Sequence, residues 1–283
     1  MVHDFRQSPF QERETLTEGV SDTLYIPLAA RIYSTENFPE YFRDPASLEF
    51  KGTVPKDIVD NSSEYSMLAS VARYRNTDRM ETEFVQRNGG GCLVHLGVGL
   101  ETAYLRLSSL DAHFYDMDLP GVVEHRMRML PTRDNETLIS GDLFDMGWAE
   151  AVPTGVPVMI LVLGVFQYFH EEDVLEVVGK MRDRFPGAEL VFDATSNKGL
   201  GYSNRYVKKT GYLTAEMHFA VDDALKFAEK SGTELMECRP FFTEARRMLR
   251  KKTGLYTRVS MWFSDRYGMV KILHLRLRTS GGD

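Results

Sequence analysis

The sequence predicts an α/β protein whose core is a doubly wound, mainly parallel sheet. From about residue 89 onward, short apolar runs of strand length alternate with amphipathic stretches of helical spacing. A turn with two glycines directly follows the first of these runs, in the segment HLGVGLET from His95 to Thr102. Strands that alternate with helices form βαβ units, and a glycine turn after the first strand is typical of such sheets.

The first 88 residues differ in character and predict a helical N-terminal cap. They contain no glycine-rich loop, and apolar residues recur at helical spacing from Leu24 to Tyr33 within TLYIPLAARIYSTENF. Similar spacing indicates a second helix from Ser66 to Phe84. Spacings of three and four place side chains on one face of a helix, so this region is expected to cover the core.

Five apolar runs predict the strands of the region from about 89 to 196. A helix is indicated between the fourth and fifth runs, from Glu171 to Phe185, because its apolar residues share one face. The runs are, in order, CLVHLG, HFYDMDL, TLIS, VPVMILVLG and AELVFDA.

The remainder of the chain predicts an insertion and then the closing elements of the sheet. Residues 197–222 are rich in Gly, Tyr, Lys and Asn and predict an inserted loop or short helices over one end of the sheet. A helix ending at Gly232 follows, with strands at Thr233–Cys238 and Val270–Leu277 that are expected to pair like a hairpin. The predicted organisation is a cap at 1–88 and a core at 89–283 that carries the insertion.

Composition and charge exclude several classes of function. With 34 Lys+Arg and 41 Asp+Glu, the formal charge of −7 disfavours a nucleic-acid partner, and the basic run Arg246–Lys252 is predicted to be a solvated helix face. Two isolated cysteines indicate neither a disulfide framework nor a metal site. The N-terminal residues lack the basic start and apolar run of a signal peptide, so secretion is not expected, and the apolar segment Val156–Phe166 is too short to span a bilayer. A cytoplasmic protein without a membrane partner is expected.

The glycine turn and a following acid predict a nucleotide-like site. Gly97 and Gly99 permit a tight turn out of the strand, and the next helix would present free N–H groups there. Asp118 ends the second strand, about 20 positions on, where an acid holds ribose hydroxyls in such folds. The alternative is a plain βα turn in which Asp118 caps the helix that starts with Pro120.

Later segments favour S-adenosylmethionine over a nicotinamide cofactor. Thr102 stands where the nicotinamide fingerprint needs a small residue. Asp142, in GDLFD after the third strand, can accept a hydrogen bond from an adenine amino group, although a helix cap is an equal interpretation. The segment LGVFQYF after the fourth strand would lie beside the sulfonium. A nicotinamide-dependent oxidoreductase stays an alternative.

Several segments, in order, resemble the leucine carboxyl methyltransferase family, specifically the bacterial branch that includes O-methyltransferases of polyketide synthesis. This resemblance implies a Rossmann-like class I S-adenosylmethionine-dependent methyltransferase with a mostly parallel seven-stranded sheet. It also implies an O-methyltransferase that acts on a small hydroxyl or carboxyl acceptor. The segments are TLYIPLAARIYST, HLGVGLETAYLRL, YDMDLPGVVEHRMRML, DLFDMGW, LGVFQYFHEEDV and FPGAELVFDATS.

The resemblance also implies which residues bind the cofactor. The family's arginine that pairs with the methionine carboxylate falls on Arg31, for which a surface helix arginine is the other interpretation. The ribose carboxylate falls on Asp118. The full implied set is Arg31, Gly97, Gly99, Asp118, Asp142, Leu143, Leu163 and Gly164.

The catalytic residues are less defined, because a carboxylate acceptor needs no base while a phenol or alcohol benefits from one. His170 and His218 are candidate bases, and Tyr168 is a candidate in the loop before His170. His95 is predicted to be a core histidine bonded to a backbone carbonyl.

Three departures from the family pattern bear on activity. The family's GLDTR becomes Gly99-Leu100-Glu101-Thr102-Ala103, and Leu163 replaces a glutamate. A non-catalytic relative that keeps the fold therefore stays an alternative. Ser21-Asp22-Thr23-Leu24 lacks the basic residue of the eukaryotic branch, which disfavours a protein phosphatase as substrate.

Overall fold

The strands of the chain pair into one sheet with the order β3-β2-β1-β4-β5-β7-β6. A computed structural model describes residues 24–210 and 216–278. For residues 205–210 the description covers the backbone alone. Part of the predicted insertion lies outside this range. So do residues 21–23, on which the expectation against a phosphatase substrate partly rests. The strands are β1 (Gly91–Leu96), β2 (Ala112–Asp118), β3 (Glu136–Ser140), β4 (Val158–Val162), β5 (Glu189–Thr195), β6 (Thr233–Pro240) and β7 (Val270–Leu277).

The pairing confirms a doubly wound, mostly parallel α/β sheet. β1 pairs in parallel with both β2 and β4, and β3 and β5 extend the sheet in parallel on either side. The strand order therefore reverses between β1 and β4, and the carboxyl ends of five strands meet at one edge. Ligands of open α/β sheets bind at this switch point.

The closing strands pair as expected but are not a hairpin. β7 runs antiparallel between β5 and β6. The antiparallel pair of β6 and β7 is therefore confirmed, and two helices, α9 and α10, stand between these strands in the chain. The helices are α1 (Tyr25–Asn37), α2 (Lys56–Asn61), α3 (Glu64–Asn88), α4 (Ala103–Arg106), α5 (Pro120–Met129), α6 (Glu171–Arg184), α7 (Asn197–Thr210), α8 (Ala224–Ser231), α9 (Thr243–Met248) and α10 (Leu255–Arg266).

One face of the sheet is covered by α1 and α3. The side chain of Ser63 caps α3, which ends at Gly89 with a φ of 67°. This left-handed residue releases the chain into β1. Apolar side chains of α3 pack on the sheet in one cluster with Leu93 and Leu161. The helix over 66–84 is confirmed and extends four residues further, to Asn88.

The opposite face is covered by α6 and α8. Val174, Val178 and Met181 of α6 are buried against Ile160 of β4 and other sheet residues, as their spacing predicts. Within the described ranges, no helix has the length and apolar content needed to span a membrane. The two layers leave the carboxyl edge of the strands for loops, and the candidate site lies there.

Candidate active site

The glycine turn after β1 has a backbone shape that only glycine adopts readily. Gly97 and Gly99 have φ angles of 74° and 53°. A Cβ atom at Gly97 would collide with Cγ2 of Val165, in the loop after β4. The turn after β1 and the loop after β4 are therefore in direct contact across the switch point.

Asp118 is tied to the glycine turn. Its Oδ2 accepts a hydrogen bond from the Gly99 N–H at 2.7 Å, and Oδ1 accepts one from the Leu119 N–H at 2.8 Å. Burial raises the pKa of its carboxyl group, and these two N–H donors oppose that rise. Leu119, not Asp118, is the N-cap residue before Pro120, so the helix-cap alternative is wrong. Each carboxylate oxygen retains a lone pair for a further donor.

The loop after β4 is held by two residues that the sequence interpretation missed. The N–H of Gly164 donates to Oδ1 of Asp193 at 2.6 Å, and Oδ2 of Asp193 pairs with Nη2 of Arg73 at 3.0 Å. The guanidinium of Arg73 covers Gly164 so closely that a Cβ there would lie 2.7 Å from Nη1. An acid at the end of the buried run AELVFDA was the signal that could have identified Asp193.

Arg73 combines a fixed position with unused hydrogen-bonding capacity. Its side chain is 18% exposed, and its Nε atom is buried without a hydrogen-bond partner. Burial opposes its charge, but Asp193 holds the pKa of the guanidinium above its ordinary value, and Tyr168 lies close enough to contribute. A permanent cation therefore stands beside the Gly164 loop.

Arg31 lies inside the protein, so the interpretation as a surface arginine is wrong. Its side chain is 1% exposed. Nη2 donates to the Leu100 carbonyl at 2.5 Å, Nη1 lies 3.3 Å from Oε2 of Glu101, and Nε lies 3.5 Å from Oδ2 of Asp44. A role toward a cofactor carboxylate stays a prediction, and it would require Arg31 to exchange these partners.

A second arginine, Arg106, lies beside the substituted positions of the first motif. Oε1 of Glu101 pairs with Nη1 of Arg106 at 2.5 Å, and Arg106 also pairs with Asp78 of α3 at 2.7 Å. Burial alone would raise the pKa of Glu101, but Arg106 and Arg31 lower it to about 2. Arg106 therefore places a positive charge beside Glu101, where position 103 carries an alanine.

A buried ionic chain lies beneath the glycine turn and includes His95. Nδ1 of His95 bonds to Oδ1 of Asp116 at 2.8 Å, and Nε2 lies 3.3 Å from Oε2 of Glu81. Burial lowers the pKa of His95, but the two carboxylates outweigh it and raise the pKa to about 10. His95 is therefore charged at neutral pH, and its predicted bond to a backbone carbonyl is wrong.

Arg126 of α5 connects this chain to the turn itself. Nη2 donates to Oδ2 of Asp116 at 2.5 Å, and Nη1 donates to the carbonyls of Gly99 at 3.2 Å and Glu101 at 2.5 Å. Two carbonyl bonds from one buried guanidinium fix the backbone of the turn. Arg126 is thus a positioning residue for the predicted cofactor loop.

Asp142 and Leu143 follow β3 and lie beside the Asp118 segment. The Gly141 N–H donates to the Asp118 carbonyl at 3.0 Å. Oδ1 of Asp142 accepts from the Phe144 N–H at 2.8 Å, which forms an Asx turn, while Asp145 caps the next helical segment. The helix-cap interpretation of Asp142 is therefore wrong. Adenine contacts of Asp142 and Leu143 stay predictions.

The three candidate catalytic residues lie around the loop after β4. Tyr168 ends a short 3-10 segment, and His170 is the N-cap residue of α6. The backbone N–H of His218 donates to the Gln167 carbonyl at 2.8 Å. The centroids of the His170 and His218 imidazole rings are 4.6 Å apart. Both histidines are exposed, and Leu163 packs toward α3. The structure thus brings together two histidines that are 48 residues apart in sequence.

Among residues 24–210 and 216–278, no group of three or more His, Cys, Asp or Glu side chains could hold a metal ion. The polar groups at the carboxyl edge are instead backbone N–H groups, one arginine and isolated carboxylates. This donor set suits a nucleoside with a charged amino-acid tail better than it suits a metal.

Comparisons with known proteins agree with this geometry. No protein-family model matches the chain. It is 25% identical over 199 residues to the tetracenomycin polyketide synthesis O-methyltransferase of Streptomyces glaucescens, covering 70% of this chain and 72% of that protein. It is 27% identical over 201 residues to an S-adenosyl-L-methionine-dependent methyltransferase of Gibberella zeae, covering 64% and 67%.

The fold is also found among solved structures. A proposed methyltransferase from Thermobifida fusca superposes with a TM-score of 0.58 at 17% identity, covering 88% of this chain and 94% of that one. This likeness shows the fold, a class I methyltransferase sheet. Together with the sequence relatives, it identifies the chain as an S-adenosylmethionine-dependent methyltransferase that resembles the tetracenomycin enzyme.

Proposed function

We propose that this methyltransferase transfers a methyl group to an oxygen atom of a small, polyketide-like acceptor. The observation that carries the acceptor class is the similarity to the tetracenomycin O-methyltransferase across 70% of this chain. The pair of His170 and His218, whose rings lie 4.6 Å apart beside the loop after β4, supports a hydroxyl acceptor, because an imidazole can act as a general base.

The residues at the carboxyl edge suit S-adenosylmethionine. Asp118 would accept hydrogen bonds from the ribose hydroxyls, and the positive-φ turn at Gly97 and Gly99 lets a ligand approach the backbone. Arg73, whose Nη1 lies closest to Gly164 and whose side chain is 18% exposed, is better placed than the enclosed Arg31 to bind the cofactor's carboxylate. When bound, the cofactor supplies an electrophilic methyl group.

The chain's own contribution is alignment and proton handling. Methyl transfer is an in-line displacement, so the protein must hold the acceptor oxygen at near-attack distance and exclude water. Tyr168 would shape the wall of the site beside Arg73. A hydroxyl acceptor loses its proton during attack, and His170 or His218 would hold that proton. A carboxylate acceptor would need neither histidine.

Labelled methyl transfer tests this proposal. The acceptor panel contains small aromatic polyketides that carry a phenol group, a carboxyl group or both. Treatment of the products with alkali hydrolyses methyl esters and leaves methyl ethers intact, which distinguishes the two. We expect label on oxygen, and we expect the His170→Gln/His218→Gln variant to lose about 10²- to 10⁴-fold of phenol methylation while any carboxyl methylation persists.

His113→Gln is the matched control, because His113 of β2 bonds to Thr137 of β3 and does not belong to the histidine pair. The proposal is contradicted if the protein binds the cofactor but labels only carbon or nitrogen. Unchanged phenol methylation by the double variant would remove the histidines from the mechanism.

A further inference from the structure

The helix α10 has its apolar face outward. Its buried positions carry Thr257, Met261 and Ser264, two of which are polar. On an ordinary surface helix the apolar face is buried and the polar face is exposed. Contiguous exposed apolar surface marks an interaction site. The outward side chains, 46% to 69% exposed, are Leu255, Tyr256, Val259, Trp262 and Phe263.

A basic cleft adjoins this face. It lies between α9 and α10, has a volume of about 700 Å³, and is lined by four arginines together with Trp262. Two acids offset part of this charge, since Asp265 lies 3.2 Å from one arginine and Glu244 lies 3.6 Å from another. The Nε atom of Arg258 is buried without a partner. The four arginines are Arg246, Arg247, Arg250 and Arg258.

The charge decides between possible occupants. A second copy that used the same face would bring two arginine clusters together, and like charges across an interface oppose association. The excess of arginine over acid instead complements an anionic surface. The aromatic types on α10, Tyr and Trp, are those that collect at the boundary between lipid and water.

We propose that α10 and the arginines of the adjoining cleft form a peripheral membrane-binding surface for anionic lipids. The apolar face would enter the headgroup layer with α10 parallel to the membrane, while the arginines contact lipid phosphates. The sequence expectation of no membrane partner rests on the lack of a spanning segment, which this mode of binding does not require. The basic run Arg246–Lys252 then has a role beyond solvation.

Vesicle co-sedimentation tests this surface independently of methyl transfer. The full-length protein is mixed with vesicles of phosphatidylcholine alone, or with equal parts of phosphatidylcholine and phosphatidylglycerol. Binding to the anionic vesicles that weakens with salt is expected. Arg247→Gln/Arg250→Gln should reduce the partition coefficient by about thirtyfold, and Val259→Ser/Trp262→Ser should reduce it by at least as much.

The control is Met127→Ser/Arg128→Gln, which removes one exposed apolar and one exposed basic side chain from α5. It should bind the anionic vesicles like the unaltered protein. The proposal is overturned if the unaltered protein stays in the supernatant with anionic vesicles, as an acidic protein partner would predict. It is also overturned if the α10 variants bind the anionic vesicles as the unaltered protein does. The same holds if light scattering shows that these variants lose a dimer while their vesicle binding is unchanged.

Discussion

At the scale of residues, Arg73 and Arg31 show how burial assigns a role. Both are arginines on helices that cover the same face of the sheet. Arg31 is enclosed by Asp44, Glu101 and the Leu100 carbonyl, so its charge is neutralised by partners inside the protein. Arg73 keeps a partly exposed guanidinium with one partner, Asp193, at the edge of the candidate site. Arg73 is for this reason the arginine that we propose for the cofactor's carboxylate.

Replacing Arg73 with Gln should therefore weaken binding of S-adenosylhomocysteine by about ten- to hundredfold, since a charged hydrogen bond is lost. Isothermal calorimetry measures the affinity. Arg75→Gln is the matched control, because Arg75 lies on α3 like Arg73 but pairs with Glu244 of α9. Equal affinities for the two variants would remove Arg73 from the site.

The sequence identifies one of these arginines but not the other. Arg31 matches a family motif, which says nothing about burial. Arg73 lies in the middle of α3, and its contact with Gly164 depends on how α3 crosses the carboxyl edge. Such a contact joins residues about 90 positions apart in sequence, so no local pattern encodes it.

At the scale of elements, buried ionic contacts join α3 and α5 to β1 and β2. Glu81 of α3 and Asp116 of β2 hold the charged His95 of β1, and Arg126 of α5 continues the chain. The segment from β1 to α5 is thereby fixed as a unit around the glycine turn. Alternation of apolar runs predicted the strands well, because a central parallel strand is apolar on both faces. The same rule does not predict charged residues within the strands.

This network predicts a specific pH dependence of stability. The pKa of His95 is raised to about 10 in the folded protein, above the ordinary value of 6.5. Its stabilising contribution is therefore complete below about pH 6.5 and is lost as the pH rises toward 10. Denaturant unfolding should show that His95→Gln costs a few kcal/mol at pH 6, and that this cost shrinks steadily by pH 10.

His113→Gln, at a β2 histidine that bonds to the hydroxyl of Thr137, is the comparison variant. Its effect on the unfolding free energy should vary less over the same pH range. A cost of His95→Gln that is constant from pH 6 to pH 10 would contradict the charged state assigned to His95.

At the scale of the whole molecule, the sheet order explains why the site lies where it does. The segments that follow β1 and β4 diverge from the switch point. The turn at Gly97 and the loop at Gly164 therefore face one another. The order of motifs in the sequence predicted this fold, because each strand ends in a recognisable turn or acid. α10 was missed, because its large apolar residues face outward, although Met261 joins the core cluster.

The predicted division into an N-terminal cap at 1–88, a core at 89–283 and an insertion at 197–222 stays a prediction. α1 and α3 share a continuous apolar cluster with the sheet, so the first third of the described chain folds onto the core. Residues after β5 continue as α7, whose Asn204 bonds to the backbone of Met217, and the next residue, His218, bonds to Gln167. This arrangement suits a cap that selects the acceptor.

Binding of S-adenosylhomocysteine to the whole protein tests the central claim most directly. At about 100 times the dissociation constant, linkage predicts that it stabilises the folded protein by about 2.7 kcal/mol, and NAD should give no such shift. Asp118→Ala should sharply weaken the binding, whereas Asp134→Ala, at an exposed acid before β3, should not. No stabilisation of the unaltered protein, or equal affinities for the two variants, would contradict a cofactor site at the glycine turn.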